Sequence, residues 1–376
     1  MKLERFKVER WMDEYEGFLT YDLGETCIDS LEIGELLDIC GINRDEFFKS
    51  LAEKRLVYGW IHGSPEFNQG VANLYKDLKP ENVVPMHGAI GANHSVIACL
   101  VEPSDNVVSV LPTYQQHYSI PASYGAEVRK TWLKKENNFL PDVEEIRKLV
   151  DKNTKMIAIN NPDNPTGAFV PEEMMKEIVE IAKENDAYIL CDEVYRGEFE
   201  DGSYMYSICD LYDKGISTGS MSKVFGLAGL RIGWVATKDA EVMKQVYGRR
   251  DYDTISLGTF DDILASIALA NKDKIFERNN KILFEGRKIL DKWVNETEGV
   301  SYVKPVAGTT ALVYYDKKVP SFDLCVHLVK DKGVLVTPGE AFDMEGCFRI
   351  GYAFSPDVLK KGLDIIAQTL KEYDEK

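Results

Sequence analysis

Lys223 stands in the segment of the chain best suited to covalent chemistry. The string Ser220-Met221-Ser222-Lys223 follows an apolar run that is predicted to be a strand, and the apolar, glycine-rich residues 224–234 come next. Most lysines are solvated surface charges, but small and apolar neighbours desolvate an amine. Because desolvation lowers the pKa of a lysine, we expect Lys223 to present a neutral amine that can attack an aldehyde.

Two polar strings stand where strands are predicted to end. Residues 161–167 read NPDNPTG, a composition that favours a tight turn, and residues 192–195 read DEVY. Asp192 would close a buried strand, where an aspartate can also serve as a helix N-cap. The turn would aim Asn164 towards whatever binds at the strand ends.

Anion-binding groups occur in three further segments. Residues 88–93 (GAIGAN) precede an amphipathic helix, so their backbone N–H groups can cradle an anion. Arg231 lies between the apolar residues Leu230 and Ile232, which disfavours a plain surface charge. Arg349 follows Phe348 in a predicted strand, and its guanidinium matches a carboxylate bidentately, although a surface ion pair is the simpler alternative.

The string SMSKVFGLAGLRIGW around Lys223 resembles the lysine motif of the fold type I, pyridoxal-phosphate-dependent class I/II aminotransferases, the aspartate aminotransferase superfamily. The strings NPDNPTG, DEVY and FRI (residues 348–350) match the family in the expected order, and the resemblance runs from about Tyr21 to the C-terminus. It implies an enzyme that holds pyridoxal 5'-phosphate (PLP) as a Schiff base on Lys223.

The resemblance also implies roles for residues around the cofactor ring. Lys223, Asp192 and Tyr195 would be the catalytic residues, with Asp192 paired to the ring nitrogen to keep it protonated. Tyr195 and Asn164 would hydrogen-bond the phenolic oxygen, and Tyr114 would stack on the ring. In such relatives the peptide bond before the second proline of the turn is often cis, so we expect a cis bond between Asn164 and Pro165.

Phosphate and substrate would be held by a second group of matching positions. Ala89 and Ile90 would contribute backbone N–H groups, Ser220 and Arg231 side chains, and Tyr58 would reach the phosphate of a partner subunit in a homodimer with shared active sites. The resemblance assigns the substrate to Arg349 for the α-carboxylate, together with Asn164 and Gly24.

The elements that must position these residues follow an α/β pattern. Residues 156–160, 187–194 and 215–221 are predicted to be buried strands of a mostly parallel sheet, because they are apolar on both faces. After about Lys272 a long charged helix leads into a smaller α+β unit, with predicted strands at 310–315, 334–337 and 348–352. We therefore expect a large PLP-binding domain (46–284) and a small domain formed by 1–45 with 285–376.

Composition narrows the classes of partner. The net charge of −17 disfavours nucleic acid and anionic lipid as partners, and no run of roughly 18 apolar residues indicates a membrane span. The N-terminal segment lacks an apolar signal core, so we expect a cytoplasmic protein. The seven cysteines contain no CxxC pair, and the five histidines show no metal-ligand spacing, so we expect no metal site.

The reaction is less constrained than the cofactor. Transfer of an amino group between an L-amino acid and a 2-oxo acid is our first expectation, because it is the commonest activity of the resembled family. A carbon-sulfur β-lyase and an amino acid racemase or cyclase remain alternatives, whereas a PLP-sensing regulator is disfavoured by the acidic chain and the short segment before Tyr21. The substrate stays open: Trp60 and Ile61 hint at an apolar wall, and Arg249 or Arg250 would bind a side-chain carboxylate only across a subunit interface.

Overall fold

The computed structural model describes residues 3–373, in which helices alternate with short strands. The strands are β1 Tyr21–Asp22, β2 Val83–Met86, β3 Asn106–Leu111, β4 Glu127–Trp132, β5 Thr154–Asn160, β6 Tyr188–Asp192, β7 Gly215–Ser220, β8 Gly233–Thr237, β9 Val300–Tyr302, β10 Thr310–Tyr315, β11 Val334–Leu335, β12 Thr337–Pro338 and β13 Cys347–Gly351. The helices are α1 Lys7–Tyr15, α2 Ile33–Cys40, α3 Arg44–Ala52, α4 Pro65–Ala72, α5 Gly88–Leu100, α6 Gln116–Ser123, α7 Val143–Leu149, α8 Glu172–Glu184, α9 Ile208–Leu211, α10 Ala240–Asp253, α11 Thr259–Ala270, α12 Lys272–Glu296, α13 Ser321–Lys332 and α14 Pro356–Lys371.

The large sheet confirms the predicted α/β architecture. Its seven strands run in the order β2-β8-β7-β6-β5-β3-β4, and every pair is parallel except those made by β8, which is antiparallel to both neighbours. The predicted strand at 187–194 ends earlier, at Asp192, because the Asp192 carboxylate accepts a hydrogen bond from the Val194 N–H and turns the chain. Helix α8 buries one apolar face, including Met175, Ile178 and Val179.

The smaller sheet differs from the prediction in one strand. β12, β13, β10 and β9 form an antiparallel sheet in that order, while β11 pairs in parallel with β1. The single strand predicted at 334–337 is therefore wrong. The chain leaves one sheet after Leu335 and joins the other at Thr337, and the intervening Val336 carbonyl accepts a hydrogen bond from Trp11 Nε1.

The N-terminal segment packs on both halves of the molecule. Its first part shares a core with the smaller sheet through Trp11, Tyr15 and Leu23, whereas Leu36 and Leu37 join the core of the large sheet. The division into 46–284 and 1–45 with 285–376 remains a proposal, and this packing favours a first boundary nearer to residue 30. No helix within residues 3–373 is long and apolar enough to cross a membrane.

Candidate active site

Three neighbouring strands end at one edge of the large sheet and open into a cleft. Asn160 closes β5, Asp192 closes β6 and Ser220 closes β7, and the parallel pairing brings these ends side by side. The cleft has a volume of about 380 Å³, and all three residues line it. A ligand is expected at this edge, because the carboxyl ends of parallel strands and adjoining helix N-termini meet there.

Lys223 projects into this cleft from the turn after β7. Its Nζ donates to Thr26 Oγ1 at 2.6 Å and lies 3.5 Å from Cys27 Sγ, so the amine is held by the N-terminal segment. Burial lowers the pKa of Lys223, but Tyr195, Cys27 and Glu25 more than offset that effect and leave the pKa above its ordinary value. Burial thus depresses the pKa of Lys223 as expected, but separate segments of the chain surround the amine with groups that raise it again.

Both carboxylate oxygens of Asp192 accept hydrogen bonds from neighbouring residues. The side chain is 4% exposed, Oδ2 accepts from Asn93 Nδ2 at 2.7 Å, and Oδ1 accepts from the Val194 N–H at 3.2 Å. Thr218 Oγ1 in turn donates to Asn93 Oδ1 at 2.7 Å, which fixes the orientation of the amide. Burial raises the pKa of Asp192 despite the Asn93 hydrogen bond, because a buried carboxylate lacks solvation. A cation placed in the cleft would offset that cost.

Asn164 and Tyr195 approach the same cleft from the turn and from the segment after β6. The backbone N–H of Asn164 donates to Asn160 Oδ1 at 2.7 Å, so the turn is tied to the end of β5. The Asn164–Pro165 bond is cis, as predicted, and Leu111–Pro112 and Asn161–Pro162 are cis as well. The Tyr195 hydroxyl is buried and lacks a well-formed hydrogen-bond partner within residues 3–373, so it is available to a ligand.

Arg349 enters the cleft from β13 of the smaller sheet. Its guanidinium donates to Asn164 Oδ1 at 3.2 Å, to the Gly24 carbonyl at 3.0 Å and to Thr337 Oγ1 at 3.0 Å. All three acceptors are neutral, the side chain is 3% exposed, and its Nε has no partner among the described residues. Arg349 is therefore a buried cation without a carboxylate, positioned in part by the predicted substrate residue Gly24.

The opposite end of the cleft has the groups expected for an anion. Ala89 and Ile90 lie in the first turn of α5 and line the cleft with Ser220 and Arg231. A Cβ atom at Gly233 would lie 2.7 Å from the Ala89 nitrogen, so glycine lets β8 approach the start of the helix closely. Arg231 has a positive φ of 50°, and its guanidinium donates to the Ala228 carbonyl at 2.9 Å.

Two predicted aromatic residues lie in different places. Tyr114 lines the cleft, where its hydroxyl donates to Glu9 Oε1 at 2.6 Å and its ring packs against Phe6. Tyr58 is 77% exposed and does not line this cleft; it borders a separate surface pocket with Trp60 and Ile61. The side chain of Tyr58 therefore belongs to the outer surface of its own chain.

Comparisons with known proteins identify the family. A model of the family described as aminotransferase class I and II matches residues 41–366. The chain belongs to this family. It is 31% identical over 359 residues to the aspartate aminotransferase of Pyrococcus horikoshii, covering 88% of this chain and 90% of that protein. It is 30% identical over 367 residues to the capreomycidine synthase of Streptomyces vinaceus, covering 96% and 93%. A solved PLP-dependent aminotransferase from Streptococcus suis is 44% identical, with a TM-score of 0.96 over 100% of both chains.

The residues present fit the PLP cofactor of this aminotransferase family. A buried carboxylate without a cation, a buried tyrosine hydroxyl without a partner and an amine lie together at Asp192, Tyr195 and Lys223. Backbone N–H groups of a helix start and the Arg231 guanidinium lie at the other end, as a phosphate requires. No group of three or more His, Cys, Asp and Glu side chains within residues 3–373 is arranged to hold a metal ion.

The aminotransferase site also contains residues that sequence reasoning missed. Asn93 is the clearest, because it contacts Asp192 directly. A signal was present: Asn93 follows Ala89 and Ile90 by four and three positions, and such residues share one face of a helix. Thr26, Cys27 and Glu25 have no sequence motif, and only the return of the N-terminal segment to the cleft reveals them.

Proposed function

We propose that this protein transfers an amino group between an L-amino acid and a 2-oxo acid, with PLP bound covalently at Lys223. The observation that carries the proposal is that Lys223 and Arg349 face one cleft, and that Arg349 meets only neutral acceptors there. A buried guanidinium without an anion is suited to an α-carboxylate. Such a carboxylate would place the α-carbon of an amino acid within reach of the Lys223 amine.

Different residues of the chain would bind different groups of the cofactor. PLP, when bound, supplies a ring that accepts the electron pair left on the α-carbon. Asp192 would hold the proton on the ring nitrogen, and Asn93 would keep the Asp192 carboxylate charged. Tyr195 and Asn164 would donate to the phenolic oxygen, Tyr114 would cover the ring, and Ala89, Ile90, Ser220 and Arg231 would hold the phosphate.

The remaining groups would handle the substrate. Arg349 would bind the α-carboxylate, with Asn164 and Gly24 fixing its guanidinium. Lys223 Nζ would take the proton from the α-carbon and deliver it to the cofactor. We assign this role to Lys223 because no other amine lines the cleft among the described residues. The protonated amine would find Thr26 Oγ1 at 2.6 Å as an acceptor.

A lyase, a racemase or a cyclase on the same scaffold is the second candidate. One observation favours the cyclising branch: the capreomycidine synthase relative covers 96% of this chain, against 88% for the aspartate aminotransferase relative. Its coverage thus exceeds that of the aminotransferase at nearly equal identity. The cofactor residues serve both reactions, so mutating them does not separate the candidates.

The fate of the amino group separates them. With an amino acid alone, an aminotransferase releases at most one 2-oxo acid per active site, and turnover resumes only when a second 2-oxo acid is added. Continuous release of ammonia or of a cyclised amino acid without an acceptor would contradict amino transfer. The assay is a stoichiometric count of products against Lys223-bound cofactor, run across a panel of amino acids.

We also propose that two copies of the chain form a homodimer with shared active sites. Large apolar side chains are exposed around Tyr58, including Val57 at 63%, Trp60 at 62% and Ile61 at 50%. Contiguous apolar surface of this kind marks an association site. Tyr58 would then reach the phosphate end of the neighbouring cleft, which explains why it lies away from its own.

A further inference from the structure

The outer wall of the cleft is acidic. Glu9 and Glu16, near the two ends of the segment formed by α1 and the turn after it, line the cleft together with Glu25, and we call these three residues the acidic wall. None of the three carboxylates has an ion-pair partner within 4.0 Å among residues 3–373. Each residue keeps exposed surface and lines the cleft, so each can meet a ligand that enters it.

Two of these carboxylates are held in place. Glu9 Oε1 accepts from the Tyr114 hydroxyl at 2.6 Å. Glu25 Oε1 accepts from the backbone N–H groups of Thr26 at 2.6 Å and Cys27 at 2.7 Å. Burial alone would raise the pKa of Glu25, but the Lys223 charge and these N–H groups leave it below the ordinary value. The lowered pKa of Glu25 favours its charged form, and these hydrogen bonds hold two of the three carboxylates of the wall in place.

Each charged side chain that lines the cleft can be compared with the charged groups of the cofactor and the substrate. Apart from the acidic wall they are Asp192, Lys223, Arg231 and Arg349. Under the proposed function, Asp192 faces the ring nitrogen, Lys223 joins the cofactor, and the two arginines face the phosphate and the α-carboxylate. Every other charge thus has a counterpart in the cofactor or in the amino acid backbone. The positive charges that act on the acidic wall are Lys223, which lies near Glu25, and Arg349, which senses both Glu25 and Glu9. Because the cofactor and the α-carboxylate would engage both of these cations, the acidic wall would then lack a positive counterpart.

The two arginines that could have served a dicarboxylic substrate are already engaged. Arg250 is 1% exposed and donates to the Ile61 carbonyl at 2.8 Å and to the Ile255 carbonyl at 3.2 Å. Arg249 Nε lies 3.4 Å from Asp253 Oδ2. The alternative in which either presents its guanidinium to a neighbouring cleft would require it to leave these partners.

Two buried polar groups show that the cleft is built to hold a ligand. The Nε of Arg349 and the Tyr195 hydroxyl are buried, unpartnered and part of the same lining. A carboxylate bound at Arg349 fixes one end of an amino acid. The rest of the cleft lining, which includes Lys223 and the acidic wall, is then left to face the substrate side chain.

We propose that the acidic wall selects amino acids with a cationic side chain and rejects dicarboxylic ones. This inference rests on the proposed function only for the orientation of the substrate. It separates the chain from its relatives named aspartate aminotransferases, because aspartate is a dicarboxylic amino acid.

The test compares substrates that differ in side-chain charge and little in shape. L-arginine is measured against L-citrulline, and L-glutamine against L-glutamate, with kcat/KM determined for the PLP-loaded enzyme. We expect kcat/KM for L-arginine to exceed that for L-citrulline by about tenfold, since the wall charges, at about fivefold or less each, act together. L-glutamate should be the poorest of the four. Equal values for L-arginine and L-citrulline, or a preference for L-glutamate, would overturn the inference.

Variants of the wall locate the effect. Glu9→Gln retains an oxygen that can accept from Tyr114, and each of Glu9→Gln and Glu16→Gln should reduce the arginine-to-citrulline ratio by up to about fivefold. Glu14→Gln is the matched control, because Glu14 lies on the same helix but pairs with Arg10 at 3.8 Å outside the cleft. Ratios that do not change in the wall variants, or change equally in Glu14→Gln, would refute the proposal.

Ligand binding keeps this inference separate from the proposed function. Binding of L-arginine and L-citrulline is followed by the change in cofactor absorbance, with no 2-oxo acid present. Tighter binding of L-arginine that is lost in the wall variants supports the acidic wall even if no amino group is transferred, in which case only the proposed reaction fails. Transfer that proceeds equally well with L-citrulline leaves the proposed reaction intact and rejects the acidic wall.

Discussion

Replacing Asn93 should lower the affinity for PLP, because the Asn93 side chain donates a hydrogen bond to Asp192. The amide is 1% exposed and donates to Asp192 Oδ2 at 2.7 Å. Asn93→Ala leaves that oxygen without a partner in a place that water reaches poorly. Asn93→Leu removes the same donor but keeps most of the volume, so it separates the hydrogen bond from packing.

The size of the effect follows from the charge on Asp192. A hydrogen bond to a charged group contributes about 1.5–3 kcal/mol, and about 1.4 kcal/mol corresponds to one pKa unit. Burial already raises the pKa of Asp192, and the Asn93 hydrogen bond opposes it. Removing the bond should therefore raise this pKa further, and the carboxylate would hold the ring nitrogen less strongly. The affinity for PLP should fall by about 10- to 100-fold.

Two measurements check this prediction: the PLP dissociation constant and the pH titration of the absorbance of the bound cofactor. Thr218→Val is the graded control, since it removes only the neutral bond from Thr218 Oγ1 to Asn93 Oδ1 and should weaken PLP binding less, by up to about tenfold. If folded Asn93→Leu binds PLP as tightly as the unmodified protein, with the same titration, the role assigned to Asn93 is refuted.

Three further predictions follow from single residues. Arg349→Gln should raise KM for amino acids by about 100-fold or more in steady-state assays, with PLP affinity retained, because charge-assisted bonds to the carboxylate are lost. Burial raises the pKa of Asp163 to about 7. The folded state therefore keeps this proton, and the free energy of unfolding should fall as pH rises from about 4 to 7. In Asp163→Asn this fall should be smaller by up to about 4 kcal/mol, as measured by chemical denaturation of the apoprotein at several pH values. Tyr58→Phe should weaken PLP binding by about fivefold without changing the oligomeric state in sedimentation, whereas Tyr252→Phe, at a position 92% exposed, should not change the affinity.

The parts of the fold that sequence predicted best are those set by local pattern. The strands that end at the polar residues Asn160, Asp192 and Ser220 are buried along nearly their whole length, so both the mostly parallel sheet and its functional edge were predictable. The strand predicted at 334–337 failed because its two halves bond to different sheets. Local composition does not contain that information, since the partners β1 and β13 lie far away in the chain.

The candidate site shows the same limit. A motif places Lys223 in the cleft, but the groups that raise its pKa, Tyr195, Cys27 and Glu25, come from separate segments. The acidic wall likewise depends on how the N-terminal segment folds back over the cleft, and no string of letters marks it. The contact between Asn93 and Asp192 was easier to predict, because helical spacing already puts Asn93 on the face of Ala89 and Ile90.

The position of the covalent link between cofactor and protein tests most directly whether PLP is bound at Lys223. The PLP-loaded protein is reduced with borohydride, digested, and mapped by mass spectrometry. Lys223 is the amine that lines the cleft among residues 3–373, so the account predicts the reduced cofactor on Lys223 and no label at that site in Lys223→Ala. A label at another lysine, or full turnover by Lys223→Ala, would contradict the account.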